Sequence, residues 1–263
     1  MENNSIERIS PKTPEWEMYY GNHISRYKFA LEQIKRLGFE LNILDIACGV
    51  GYGTKFLSDF LPNSNLVGVD ISSEAISIAK SEFNSTNVRY IEADCMNSSL
   101  YSIESKFDIV ISFETFEHLK DPDTFLKNVY SELKIGGVLI VSTPNKHVSS
   151  PDQLNWDFHE VEYTPLELRD KLQNASFTNL SFFGQSTSEL DKVINNIKNE
   201  FDKLSFNPLI RLGKFIKKVT GREIKKSKIL DSSLFYSIQE EDVQYLESLG
   251  SFGPDVTIVV CKK

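Results

Sequence analysis

The stretch Ile43-Leu-Asp-Ile-Ala-Cys-Gly-Val-Gly-Tyr-Gly-Thr54 decides how this chain folds. Ile43 to Ala47 is a short apolar run that reads as a buried strand. Gly49, Gly51 and Gly53 then leave almost no side chain where the strand turns into a helix. Glycine tolerates the dihedrals of such a turn and lets a ligand come close to the backbone. The dinucleotide fingerprint asks for glycine at the sixth position counted from Gly49. Thr54 stands there, so the pattern is G-x-G-x-G. Asp45 precedes the glycines, and Asp70 lies 19 residues after Gly51, at the end of a second apolar run, Leu66 to Val69. An acid at about that distance suits hydrogen bonds to ribose hydroxyls.

Strand and helix signals alternate on both sides of this loop. Upstream, Asn22 to Leu37 reads as a helix with Ile24, Tyr27, Leu31 and Ile34 on one face and Gly38 as its stop. Residues before Asn22 read as an irregular polar arm containing Trp16, Tyr19 and Tyr20. Downstream come a helix near Thr54 to Phe60, strand Leu66 to Asp70, and a helix capped at Ser72. Strand Val88 to Glu92 ends at Ala93-Asp94. Phe107 to Phe113 is nearly continuously apolar, which suits a central strand covered on both faces. It leads into Glu114-Thr-Phe-Glu117-His118, and Asp121-Pro122 then opens a helix striped by Phe125, Val129 and Leu133. Gly136-Gly137 turns into a fifth strand, Val138 to Ser142. A long irregular segment to about Tyr163 carries His147, Trp156, His159 and Glu160; a loop of that length is usually functional. A helix from Pro165 to Gln173, a strand Leu180 to Phe183 and a last strand Val256 to Cys261 complete the pattern.

In order and position, Asp45-x-x-x-Gly49-x-Gly51-x-Gly53, Asp70 and Ala93-Asp94 resemble the class I S-adenosylmethionine (SAM)-dependent methyltransferases. The likeness spans roughly residues 22–185 and the last strand. It implies an α/β fold: a Rossmann-like, doubly wound, seven-stranded sheet with an N-terminal helical arm (1–40), a catalytic domain (41–185 plus 255–263) and a mainly helical insert (186–254). It also implies SAM as cofactor, held by Asp45, Gly49, Gly51, Asp70, Ile71, Asp94, Cys95 and Phe113, with Asp94 on the adenine amine and Cys95 or Met96 against the ring. His23, Arg26 and Tyr27 resemble a His-x-x-Arg-Tyr element of bacterial relatives, whose arm packs near the methionine end of the cofactor; Arg26 or Tyr27 is then a partner for that carboxylate.

For the chemistry, His118 and His159 are the candidate bases, since imidazole titrates near neutrality, and Glu114 accompanies them. Glu114-x-x-Glu117-His118 also resembles the ubiquinone-pathway O-methyltransferases, in which this run holds a divalent cation. The resemblance implies Mg2+ or Mn2+ on Glu114, Glu117 and His118. Phe158-His159-x-x-Glu162 and Ser142-Thr-Pro-Asn145 resemble bacterial capsule and O-antigen enzymes. The favoured acceptor is therefore a sugar hydroxyl, on a nucleotide-linked hexose or heptose destined for surface polysaccharide. A phenolic or quinone-type acceptor, and a SAM-binding scaffold that transfers nothing, are the alternatives.

Composition bounds these readings. The 263 residues are 40% hydrophobic and 25% charged, which is globular, and the net charge of -8 argues against a general nucleic-acid binder. Cys48, Cys95 and Cys261 show no C-x-x-C spacing and read as reduced thiols. The polar N-terminus and the lack of an apolar run of membrane length lead to a cytoplasmic expectation, as a monomer or homodimer. Residues 211–228 hold eight basic residues against one acid, so the remainder carries -15. That stretch is a candidate contact for a membrane surface or an anionic glycan.

Overall fold

This computed structural model describes residues 14–97, 106–150, 158–186, 226–230, 233–238 and 255–263, with side chains placed for 20–97, 106–150, 158–185 and 255–263. Helix α1 is Pro14–Ile34, followed by β1 (Asn42–Ile46), α2 (Tyr52–Phe60), β2 (Asn65–Asp70), α3 (Ser73–Glu82), β3 (Val88–Glu92) and β4 (Phe107–Phe113). A 3-10 turn at Phe116–His118 precedes α4 (Pro122–Glu132) and β5 (Leu133–Pro144). Then come α5 (Lys146–Ser149), α6 (Pro165–Asn174), β6 (Thr178–Ser186), β7 (Lys226–Leu230), β8 (Ser233–Ile238) and β9 (Val256–Lys262).

The sheet order is β3-β2-β1-β4-β5-β9-β6-β8-β7. Strands β1 to β5 are parallel, and β9 runs antiparallel between β5 and β6. The first seven strands in that order form the expected doubly wound sheet. Alternation along each strand divides the core. Ile43, Ile109, Ile111, Ile140 and Ile258 pack toward α1 and α2 with Ala30, Ile34, Leu57 and Leu61. Leu44, Val110, Leu139 and Val141 pack toward α4 and α6 with Phe125, Val129, Leu168 and Leu172. The chain winds outward from β1 through β2 to β3, then returns to β4 on the other side of β1. The C-terminal ends of β1 and β4 therefore flank the switch point where ligands of such sheets bind.

Three expectations are corrected. The helix of the N-terminal arm starts at Pro14, so residues 14–21 are helical, not irregular. The segment after β5 contains a helical turn, α5, capped by the Asn145 side chain on the His147 N–H. The insert is not only helical: β7 and β8 pair antiparallel and extend the sheet from β6 to nine strands. Lys226 and Lys228 of the basic stretch lie in β7. Residues 211–225, the helix expected at 190–201 and the apolar positions Val243, Leu246 and Leu249 lie outside the described residues.

Two glycines of the organising loop are explained by packing. Gly51 has φ +89, and a Cβ there would lie 2.8 Å from Ala79 Cβ and 2.9 Å from the Tyr90 ring. A Cβ on Gly53 would lie 2.0 Å from Tyr27 Cζ, because α1 crosses α2 at this point. Among these three glycines, only Gly49, with φ +57, would place a Cβ with no atom within 4 Å. Of the two glycines expected at the cofactor, Gly49 and Gly51, Gly49 is the one with open space beside its Cα. Gly53→Ala must push α1 off α2, and overpacking of this kind costs about 2 to 3 kcal/mol. Urea unfolding should show that loss; an unchanged midpoint would mean Tyr27 does not sit on Gly53.

Candidate active site

Under the loop, Asp45 is fully buried and accepts from Thr54 Oγ1 at 2.6 Å and from Tyr27 Oη at 3.2 Å on each carboxylate oxygen. Burial pushes its carboxyl up to about 7, and the two hydroxyl donors only partly oppose that. Neither residue opens toward a ligand. The expected cofactor contacts of Asp45 and Tyr27 are thus corrected to support from beneath: Tyr27 spends its hydroxyl on Asp45 and its ring on Gly53.

The other expected cofactor residues line the strand ends. Asp70 at the tip of β2 receives the Gly49 N–H and the Ser72 N–H, both at 2.9 Å. Ile71 beside it is 62% exposed, a large apolar side chain left bare at the sheet's ligand edge. Asp94 uses Oδ1 to accept from the Met96 N–H, which shapes the turn after β3. Burial pushes the Cys95 thiol up to about 12, so it is neutral. Phe113 ends β4 edge-on to the Tyr27 ring, 5.2 Å between centroids.

Arg26 is only 3% exposed. Its Nη1 donates to Gln185 Oε1 at 3.0 Å, and Gln185 Nε2 in turn donates to the Asn22 carbonyl. Its Nε and Nη2 have no hydrogen-bond partner among the described residues. Nη2 stands 3.9 Å from Glu114 Oε2. A buried guanidinium with two idle donors carries a desolvation cost that an anion would offset. This orphaned pair, the open face at Gly49 and the acid at Asp70 fit a ligand that carries both a ribose and a carboxylate.

From Arg26 a chain of charged groups runs toward the acceptor side. Glu114 follows β4 in a left-handed conformation, φ 49, in line with Ala47 after β1, φ 56. Such residues carry strain that tends to gather at functional sites. Here the twist turns the Glu114 carboxylate onto Ser142 Oγ, which donates to Oε1 at 2.7 Å. Glu117 is 1% exposed and accepts from Thr143 Oγ1 at 2.9 Å. Burial, then the neighbouring Glu114 charge, push its carboxyl well above the usual range. His118 sits with Nδ1 2.8 Å from the Phe158 carbonyl and Nε2 3.9 Å from Glu117 Oε1. His159 Nδ1 meets Glu162 Oε1 at 2.6 Å, and Ser149 donates to the other Glu162 oxygen.

The two imidazoles stand edge to face, 4.9 Å apart. The backbone makes this meeting possible: Glu160 N–H and Val161 N–H both donate to the Glu117 carbonyl, docking the loop on the 3-10 turn. The expected cation set of Glu114, Glu117 and His118 is therefore corrected. Glu114 is turned away to Ser142 and Arg26, while Glu117, His118 and His159 form the group with donor atoms within 4.8 Å of one another. Sequence reasoning missed Glu162 as the group orienting His159, and Thr143 as the partner of Glu117. The i, i+3 spacing of His159 and Glu162 was the available signal.

Comparison with known proteins bears on the domain and its fold. Residues 44–141 match the family model described as "Methyltransferase domain". The fold is that of the class I methyltransferases. A solved SAM-dependent methyltransferase from Thermotoga maritima superposes with TM-score 0.55 over 95% of both chains, at 17% identity. The chain is 32% identical over 103 residues to a malonyl-[acyl-carrier protein] O-methyltransferase of Bacillus anthracis, covering 39% of this chain and 37% of that protein. It is 30% identical over 160 residues to a Mycolicibacterium smegmatis protein named "Probable S-adenosylmethionine-dependent methyltransferase", covering 57% of this chain and 58% of that protein. The chain thus spans less than two thirds of these curated relatives. Among the described residues no helix is long and apolar enough to cross a membrane.

Two measurements test the site. Arg26→Met should weaken S-adenosylhomocysteine binding by about ten- to a hundredfold, the value of a charge-assisted bond to a carboxylate. Calorimetry that finds equal affinity would remove Arg26 from the site. For Asp45, the folded carboxyl holds its proton to about pH 7, whereas the unfolded one releases it near 4. That contribution to stability is complete below about pH 4 and is lost as pH rises toward 7, by at most about 1.4 kcal/mol per unit. Wild type should lose stability over that window relative to Asp45→Asn in urea titrations. Parallel curves would show that Asp45 is ionised throughout.

Proposed function

We propose that the protein is a SAM-dependent O-methyltransferase acting on a hydroxyl of a polar small molecule, a sugar in first place. The observation that carries this is the imidazole pair of His118 and His159, joined through Glu117 and Glu114 to the buried, under-satisfied Arg26. One end of this line suits a cofactor carboxylate and the other suits a hydroxyl that must lose a proton.

When bound, SAM supplies a methyl group on a sulfonium leaving group. The chain's own residues do the rest. Gly49 leaves space beside the backbone, Asp70 offers its carboxylate to ribose hydroxyls, and Asp94 offers acceptor capacity to the adenine amine. Arg26 gives Nε and Nη2 to the cofactor carboxylate. Ile71 and Cys95 present apolar and soft surface to the base. Because a carbonyl only accepts, His118 Nδ1 carries the proton in its bond to Phe158, and the lone pair lies on Nε2. The acceptor hydroxyl is activated at that imidazole face.

The matching region of the acyl-carrier-protein relative supports oxygen as the methylated atom. Sugar as the acceptor class rests on the resemblance of Phe158-His159-x-x-Glu162 and Ser142 to Asn145 to glycan-cluster enzymes. Mass spectrometry of a panel of nucleotide-linked hexoses and heptoses, incubated with the protein and SAM, tests it. A single added methyl on one sugar is the expected result. His118→Ala and His159→Ala should each lower turnover by about a hundredfold or more with cofactor affinity kept. A panel left unmodified while the cofactor binds would overturn the sugar reading in favour of a phenolic acceptor or a non-catalytic scaffold.

A further inference from the structure

Every member of the Glu117, His118, His159 group is held from behind. Thr143 Oγ1 donates to Glu117 Oε2, which leaves Oε1 on the side of His118. The Phe158 carbonyl accepts from His118 Nδ1, and Glu162 accepts from His159 Nδ1. Both bonds select the tautomer whose lone pair is on Nε2. Glu162 is itself fixed by Ser149. A carboxylate or a carbonyl behind a histidine, fixing tautomer and ring orientation, is the outer arrangement of protein metal sites.

These bonds are not needed to dock the loop, which the Glu160 and Val161 N–H groups already attach to the Glu117 carbonyl. Nor does Glu117 gain from burial as such. A carboxylate 1% exposed beside a second acid is costly, and the charge of Arg26, which is turned to Gln185 and Glu114, offsets only part of that cost. One donor atom from each of the three residues lies within 4.8 Å of the other two. Donors around an ion at about 2.1 Å stand roughly 3 to 3.5 Å apart, so the group closes by about an ångström. His118, 34% exposed, is the member with room to make that shift.

We propose that Glu117, His118 and His159 bind a divalent first-row transition ion, with its remaining positions open toward the acceptor. Two imidazoles and one carboxylate suit Mn, Fe, Co, Ni or Zn better than Mg, which takes oxygen ligands. The ligand set differs from the one expected of the Glu-x-x-Glu-His run, since Glu114 is out and His159 is in. The proposal deepens the methyl-transfer reading and rests on it for the role of the ion. An acceptor hydroxyl bound at an open position has its pKa lowered and releases its proton to water, so with the ion bound the imidazoles act as its ligands in place of the direct base role they have without it.

The test uses untagged full-length protein, stripped with chelator and dialysed against Co2+. A single Co2+ per chain with visible d–d absorption is expected, and Mg2+ in large excess should not displace it. His118→Ala and His159→Ala should each weaken uptake by about tenfold or more. Glu117→Gln, isosteric and still able to accept from Thr143, should do the same. S-adenosylhomocysteine binding, measured on every variant, reports that the fold is kept. No stoichiometric uptake, or uptake untouched by the paired histidine substitution, overturns the site. Cofactor binding without cobalt uptake would sink the metal site alone. Cobalt uptake lost with the histidines upholds it even where no sugar is methylated.

Discussion

A buried carboxylate holds this structure's ligand edge in place. Asp45 is shut off from solvent, and among the described residues its carboxylate is met by the hydroxyls of Thr54 and Tyr27. Burying such a group costs several kcal/mol unless it is hydrogen-bonded or takes up a proton. The fold does both, and in doing so ties β1, α2 and α1 together at one point. That explains the departure from the dinucleotide fingerprint. Where the fingerprint has glycine for close packing, this loop has Thr54, whose hydroxyl Asp45 requires. The close packing moves one residue earlier, to Gly53, over which the Tyr27 ring lies. With Gly51 and Gly53 facing protein, the loop can open only at Gly49, and Asp70 receives that residue's N–H.

The same helix that supplies Tyr27 supplies Arg26 one residue earlier. Its guanidinium is aimed by Gln185 on β6, and Gln185 also holds the Asn22 carbonyl. The arm is thus clamped at the glycine loop and at the sheet's later strands. β6 is where the insert leaves the domain, and β8 pairs with it. An anion met by Arg26 therefore reports to both the N-terminal helix and the strand that starts the insert. The insert's described part is a sheet extension beside this clamp.

Much of the fold was legible because strand period and glycine turns are local signals. Val88 to Glu92 and Phe107 to Phe113 match the observed strands to the residue, and Asp121-Pro122 caps α4 as read. What failed was non-local. The roles of Gly51 and Gly53 depend on Tyr90 and Tyr27, distant in sequence. Strands β7 and β8, close together in the chain, carried a pairing pattern that the density of basic charge concealed. At the site, Glu114-x-x-Glu117-His118 invited a reading as one ligand set. A single left-handed φ at Glu114 divides it, sending one acid toward Arg26 and the other toward the histidines.

That division sets two electrostatic environments a few residues apart. Glu114 lies near a buried guanidinium and accepts from Ser142, so its charge has compensation. Glu117 has a hydroxyl, a backbone N–H and an imidazole at 3.9 Å, and burial and the repulsion of Glu114 outweigh what these and the charge of Arg26 give back. Glutamine at 117 would keep the Thr143 bond and remove the repulsion, so an acid there answers to something besides packing. The loop brings a second imidazole beside the first at some cost, since His159 and Glu162 are both buried to do it. An acid made unfavourable by its surroundings, faced by two histidines of fixed tautomer, becomes favourable when a positive charge enters among them.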